Sequence, residues 1–291
     1  MNKPFKKIAL AARLQTPGIA EPLMHLANLL QQRGKEVLIE EEVAKEQSLT
    51  TYPTVARDEM GFHADLAIVI GGDGTMLSVA RLLAPYQVPI IGVNQGRLGF
   101  ITDISMPDME PVILRILDGE CVFEERMLLK ASVYRAQQVI HESLAFNDVV
   151  LSRGAMGSMI EFEVFINDLF VYSQRSDGLI ISTPTGSTAY ALAAGGPILH
   201  PTVSAMTIVP VCPQFLNNRP IVINDTCHVE YLITRGQDAR VFFDNQSYVD
   251  LHEMDKVAVS RYQHTLTILH PLGYSYYDVL RSKLHWGQKL L

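Results

Sequence analysis

The chain has 291 residues, is 48% hydrophobic and 19% charged, and carries a formal net charge of −7. This composition excludes a disordered polymer and supplies enough apolar material for two ordinary domains or one large one. The acidic balance argues against a broad nucleic-acid footprint and against an anionic membrane surface, and no apolar run reaches the roughly 20 residues of a spanning helix.

The opening stretch, MNKPFKKIALAARLQTPG, starts basic, but its apolar part at 8–12 is too short for a secretory core, so a cytoplasmic protein is expected. Cys121, Cys212 and Cys227 are too few and too widely spaced for a disulfide framework or a cysteine zinc site, and are expected as buried free thiols. KIALAA and EVLIEE read as strands around a helix, EPLMHLANLLQQRG. There Leu23, Leu26, Ala27 and Leu30 recur at helical spacing and Gly34 is a stop signal. DLAIVI, TMLSVARLLA and VPIIGVN repeat the order, and PDMEPVILRILDGE adds a further helix. Such alternation predicts a parallel sheet covered by helices on both faces, over residues 1–124.

After Glu124 the texture changes. LLKASVYRA, QVIHESLAFNDVVLS, MIEFEVFIND and LFVYSQRSDGLIIST follow one another without helices, separated by turn-forming Gly, Asn and Asp. INDLFVYS reads as a hairpin with Asn167 and Asp168 at its tip. CHVEYLITRG, ARVFFDNQ, DKVAVSR and HTLTILHP continue the pattern, predicting an antiparallel, mostly β region over 125–270. The tail at 271–291 has helical spacing and is expected to pack back on the first domain.

Two stretches carry candidate chemistry. In DLAIVIGGDGTMLSVARLLA, residues 65–84, Gly71, Gly72 and Gly74 lie where a strand turns into a helix starting near Thr75. Glycines there let bare backbone approach a ligand and allow positive φ, while the helix start favours a phosphate. An ordinary helix capped by Asp73 fits the same residues. Neither G-x-x-x-x-G-K-[ST] nor G-x-G-x-x-G occurs, so Asp73 stands where a phosphate loop carries lysine. A carboxylate there suits a divalent ion or a proton leaving an attacking hydroxyl, both features of phosphoryl transfer. The second stretch, SQRSDGLIISTPTGSTAYALAAGGP at 173–197, offers hydroxyls and amides for ribose and amide groups, and Tyr190 as a flat face for a base. A plain connecting loop remains open. No G-x-S-x-G elbow and no H-E-x-x-H spacing occurs, which removes the hydrolase readings.

GGDGTML, NQGRLGF, EERMLL, FND, SDGLIISTPTGSTAYALAAGGPI and KLHWG occur in the order and spacing of the bacterial NAD kinases, and the chain resembles that family over essentially its whole length. The resemblance implies a phosphofructokinase-like α/β first domain and a β-rich second domain, with NAD in the cleft between them. It further implies transfer of the ATP γ-phosphoryl to the 2′-hydroxyl of the adenosine ribose of NAD. Asp73 matches the family's general base, with Gly71, Gly72, Gly74 and Thr75 as the phosphate loop and Gly74 also in the dinucleotide site. Asn147 and Asp148 match an Asn-Glu pair that contacts the dinucleotide, Asp148 being one methylene shorter. Arg175, Asp177, Thr185, Gly186, Ser187, Thr188, Ala189, Tyr190 and Gln246 match further NAD-contacting positions, while Ser158 departs from a basic or imidazole side chain. A divalent ion, Mg²⁺ or Mn²⁺, is expected to arrive with ATP, and a homodimer or homotetramer is expected. A lipid or sugar kinase sharing the GGDG loop, or a non-catalytic NAD(P)-binding sensor, are the rivals. A membrane-facing surface would mark a lipid kinase, and binding of NAD without turnover would mark the sensor.

Overall fold

The computed structural model describes residues 5–96, 99–154, 158–215 and 217–286. Residues 97–98 of the NQGRLGF stretch and 287–291 of the tail lie outside them. Two compact units form, Met1–Glu125 with Leu266–Leu291, and Arg126–Thr265.

In the first unit the expected alternation is present. Its elements are β1 (Lys7–Ala12), α1 (Ala20–Gln32), β2 (Glu36–Glu40), α2 (Glu41–Glu46), β3 (Thr54–Val55) and α3 (Met60–His63). They continue as β4 (Leu66–Gly71), α4 (Asp73–Leu83), β5 (Ile90–Asn94), β6 (Ile104–Ser105), α5 (Met109–Leu117) and β7 (Cys121–Arg126). The residues of the central strands β1, β4 and β5 are buried almost without interruption because both faces are covered. Ile8, Leu10, Ile68 and Ile70 face a cluster with Leu23, Leu26, Ala27 and Leu30 of α1 and with Ile113 and Ile116 of α5. On the opposite face a side chain on Gly92 would meet Met76 of α4. Each fully buried Leu or Ile contributes about 1.5–3 kcal/mol, so this two-sided packing fixes the sheet.

The second unit contains β8 (Leu129–Arg135), β9 (Gln138–Ala145), β10 (Asp148–Ser152), β11 (Ile160–Ile166), β12 (Leu169–Ser176) and β13 (Gly178–Ser182). A short α6 (Tyr190–Ala193) interrupts before β14 (Ala205–Val211), β15 (Ile221–Asn224), β16 (Val229–Arg235), β17 (Ala239–Phe243), β18 (Ser247–Leu251) and β19 (Lys256–Arg261). Two six-stranded antiparallel sheets, ordered β15-β14-β13-β10-β17-β18 and β12-β11-β16-β19-β8-β9, enclose one core in which Leu151 and Ile181 meet Phe162 and Tyr231. The expected hairpin is present, since Ile166 pairs with Leu169 and both Asn167 and Asp168 have positive φ.

The chain ends in β20 (Leu266–Pro271) and α7 (Tyr276–Leu284), the latter capped by the Ser275 hydroxyl accepting the Asp278 N–H. The HTLTILHP segment, expected to prolong the antiparallel region, instead pairs in parallel with β5. The first sheet therefore runs β3-β2-β1-β4-β5-β20-β7, with β6 also on β5. Its apolar residues Leu266, Ile268 and Leu269 are fully buried, which suits a covered parallel strand as well as an antiparallel one and explains the ambiguity. The cysteines are free, but Cys212 is exposed and the other two are only partly buried, which corrects the expectation of buried thiols.

Candidate active site

The first sheet changes direction at β1. The chain runs outward from β1 through β2 to β3 and then resumes on its other side with β4 and β5. Ligands in open α/β sheets bind outside the carboxyl ends at such a switch point. There a cavity of about 500 Å³ is lined by Arg13, Arg57, Gly72, Gly74, Thr75 and Ser78. Arg57 donates to the Ser78 hydroxyl at 2.8 Å, and its Nε lies 3.4 Å from the fully buried Glu40 carboxylate. Burial pushes the Glu40 carboxyl above its ordinary value and the Arg57 charge pulls it back down.

None of Gly71, Gly72 and Gly74 adopts positive φ. The freedom expected of them is not what the turn uses. A side chain on Gly71 would collide with Thr75, whereas Gly72 and Gly74 face open space and leave the backbone bare toward the cavity. Helix α4 begins at Asp73, with Gly72 as its N-cap and no side-chain cap, so the capped-helix alternative for Asp73 does not hold.

The Asp73 carboxylate is instead held by the segment after β5. It accepts N–H groups from Phe100 at 2.8 Å and Ile101 at 3.3 Å, and the Thr102 hydroxyl at 3.0 Å. Thr102 in turn accepts from the Asn94 amide at 2.6 Å, and Asn94 sits in register with Gly71 on the neighbouring strand. Gly99 closes the arrangement, because a side chain there would occupy the space of the Asp73 carboxylate and the Thr102 hydroxyl.

The second unit holds a cavity of about 480 Å³ lined by Asn147, Asp148, Ala189, Tyr190, Phe242 and Asp244. Asp148 opens β10 opposite Ser182 at the end of β13, and its side chain is buried. Desolvation, and then the neighbouring Asp244 charge, raise its carboxyl to about 7. Asp244 accepts the backbone N–H groups of Phe146 at 2.8 Å, Asn147 at 2.7 Å and Asp148 at 3.1 Å. The other side of this turn is fixed by Thr183, whose N–H donates to the Asn147 carbonyl and whose hydroxyl donates to the Phe146 carbonyl.

Comparison with known proteins matches the chain that carries these two cavities. The family model described as the ATP-NAD kinase N-terminal domain matches residues 8–121, and that of the ATP-NAD kinase C-terminal domain matches 146–270. The chain belongs to the ATP-NAD kinase family. An NAD kinase from Chromobacterium violaceum is 60% identical over 291 residues, covering all of both chains. One from Neisseria gonorrhoeae is 49% identical, again over the full length of both. Two crystal structures share the fold. Yeast NADH kinase complexed with NADH matches with TM-score 0.90 at 24% identity, covering 100% of this chain and 90% of the other. An NAD kinase from Archaeoglobus fulgidus in complex with ATP matches with TM-score 0.76 at 22% identity, covering 96% and 98%.

Of the positions that the ATP-NAD kinase resemblance singles out, Asn147, Asp148, Ala189 and Tyr190 line the second unit's cavity together. Gly72, Gly74 and Thr75 line that of the first unit. Thr185 is buried and accepts from the fully buried Arg126 at 3.1 Å. Gly186 lacks room for a side chain against the Asn147 carbonyl. The Ser187 hydroxyl donates to the Pro184 carbonyl and accepts the Leu199 N–H, and Thr188 donates to the Thr185 carbonyl, so both shape the loop. Arg175 lies 3.7 Å from Glu161, Asp177 pairs with Arg153 at 2.7 Å, and Gln246 is exposed on the turn after Asp244. None of these three is among the residues lining the second unit's cavity. Asp244, Asn94, Thr102 and Arg57 were not singled out. Asp244 had a signal, since it stands two residues before Gln246 in FDNQ. Thr102 and Arg57 had none.

Proposed function

We propose that the protein transfers the γ-phosphoryl group of ATP to the 2′-hydroxyl of the adenosine ribose of NAD, giving NADP and ADP, with Asp73 as the general base. The observation that supports this reading is a carboxylate, oriented by three donors, at a strand-to-helix turn where phosphate loops carry a lysine. A carboxylate there repels phosphates, and its use is to take the proton of the attacking hydroxyl. Oδ1 accepts two donors and Oδ2 one, which leaves acceptor capacity on Oδ2 for that hydroxyl.

The donor enters as MgATP or its Mn²⁺ equivalent, the ion being carried by the phosphate oxygens, where it neutralises charge on the group in transfer. Among the described residues no group of three His, Cys, Asp or Glu side chains could hold a metal ion. Arg13, Arg57 and the open Gly72 and Gly74 backbone supply cationic and amide groups for phosphates. The Tyr190 ring and the Asn147 and Asp148 side chains supply a stacking face and polar groups for the dinucleotide. Arg175, Asp177, Thr185 and Gln246, which do not line this cavity, are assigned to it by the family resemblance alone. Relatives named NAD kinase at 49–60% identity over their full length support the same reaction.

Incubation with ATP, Mg²⁺ and NAD, followed by an NADP-specific dehydrogenase, tests the reading. NADP accumulation is expected, and NAD binding without NADP would leave a sensor in its place. Assembly into a homodimer or homotetramer belongs to this proposal. Exposed Leu169, Phe170 and Val171 on edge strand β12 and Val139 and Ile140 on edge strand β9 support it, and light scattering measures it. A cytoplasmic location is proposed as well; no helix of the described residues is long and apolar enough to cross a membrane.

A further inference from the structure

Asp244 occupies a turn position that glycine, asparagine and aspartate all adopt, as Asn167 and Asp168 do in the β11–β12 hairpin. Asp244 and Asn245 both have positive φ, at 52° and 53°, in the tight turn between β17 and β18, which the Gln246 N–H closes on the Phe243 carbonyl. Glycine is the residue that adopts this conformation without strain. What an aspartate adds is its carboxylate, and here that carboxylate accepts three consecutive N–H groups of a segment 96–98 residues earlier. The contact is reciprocal, because the Asp244 N–H donates to the Asp148 carbonyl at 3.0 Å. Two carboxyl groups thus share one wall of a cavity in very different settings. Asp244 is surrounded by donors, whereas no protein donor to the Asp148 carboxyl is found among the described residues, and its side chain is buried.

We propose that Asp244 is a positioning residue for the dinucleotide, setting the Asn147–Asp148 turn and keeping Asp148 as a neutral, proton-donating carboxyl that the bound NAD accepts from. This inference rests on the NAD-binding reading of the second unit's cavity given above. Three backbone N–H groups converge on the Asp244 carboxylate, and its charge adds to the burial that already raises the neighbouring Asp148 carboxyl to about 7. The other groups around Asp148 do not offset this. β13 presents Ser182 and Thr183, the following loop presents the Tyr190 phenol, Arg126 is engaged with Thr185, and His141 lies against the Phe243 ring. A ligand that covers the cavity removes water from Asp148 and disfavours its anion further, so bound NAD and the proton support each other.

Calorimetric titration of the intact protein with NAD alone, between pH 5.5 and 8.5, tests this without interference from ATP ionisation. Affinity of the unmodified protein is expected to weaken as pH rises through about 7. Asp148→Asn, which donates at every pH, is expected to bind with no such dependence. Asp244→Asn is expected to weaken binding by about tenfold or more and to move the midpoint to lower pH, because the raising charge is gone. Asp244→Gly, which suits the backbone, is expected to lose the same affinity. Thermal melts confirm that each variant is folded; if Asp244→Asn fails to fold, the Asp148→Asn profile decides. A flat profile in the unmodified protein, a persistent slope in Asp148→Asn, a weakened Asp244→Asn with an unmoved midpoint, or normal binding by Asp244→Gly would each overturn the proposal. Absence of any NAD binding at any pH would instead overturn the reading on which it rests.

Discussion

The Asp73 carboxylate and the Phe100 backbone N–H lie 2.8 Å apart, although 27 residues of chain separate them. The turn after β4 therefore does not aim its carboxylate by itself. The segment after β5 aims it, through Phe100, Ile101 and Thr102.

Replacing Asp73 with Asn leaves the side-chain volume almost unchanged but removes the proton acceptor. Turnover is expected to fall by about two to four orders of magnitude, with NAD affinity largely kept. Steady-state kinetics beside NAD titration checks this split, and near-normal turnover would remove Asp73 from the role of base.

Gly99→Ala places a methyl group in the space of the Asp73 carboxylate and the Thr102 hydroxyl. Since displacement of about 1 Å costs catalysis about a hundredfold, kcat is expected to drop on that order while the second unit's cavity, proposed to take NAD, is untouched. A Gly99→Ala enzyme with full kcat would show that the Asp73 position is not critical.

Glu40 is fully buried with its carboxyl raised from 4.5 by desolvation, and Arg57 opposes that rise. A carboxyl raised in the folded state binds more protons there than in the unfolded chain, so the fold loses stability as pH climbs above the unfolded value. Arg57→Ala removes the opposing charge and widens the loss. It is expected to destabilise by about 2 kcal/mol at pH 8 and distinctly less at pH 5, as read from urea melts at both. Equal destabilisation at the two pH values would exclude Glu40 as the cause.

His270 is fully buried, with Nδ1 2.9 Å from Asp103 and Nε2 3.0 Å from Glu124, and its ring stacks on Tyr274 at 3.8 Å. His270→Leu leaves two largely buried carboxylates without their shared partner. A loss of about 3 kcal/mol or more is expected in denaturant melts at pH 7, where a neutral substitution effect would contradict this account of how β20 is held.

Much of the fold is legible in the sequence because its signals are local. Continuous apolar strands alternating with helices at 3.6 spacing specify the first sheet, and Asn167-Asp168 specifies a two-residue hairpin, as found. HTLTILHP misled because a buried strand looks the same in either kind of sheet, and only its neighbour β5 decides. Among the candidate site residues, Asn147, Asp148, Ala189 and Tyr190, which line one cavity, and Asp73 all stand in motifs visible in the sequence. Asp244 and Thr102 act on groups 98 and 29 residues away, through bonds that exist only once the sheets have formed. The role of the glycines was read in part. Gly72 and Gly74 leave backbone bare as expected, but their φ values are ordinary.

The most direct measurement is the rate of NADP formation from NAD and MgATP by the unmodified protein and by Asp73→Asn, followed with an NADP-specific dehydrogenase at saturating substrates. The account predicts steady NADP production by the former and a rate at least about a hundredfold lower in the latter. No NADP from the unmodified protein, or equal rates from both, would contradict it.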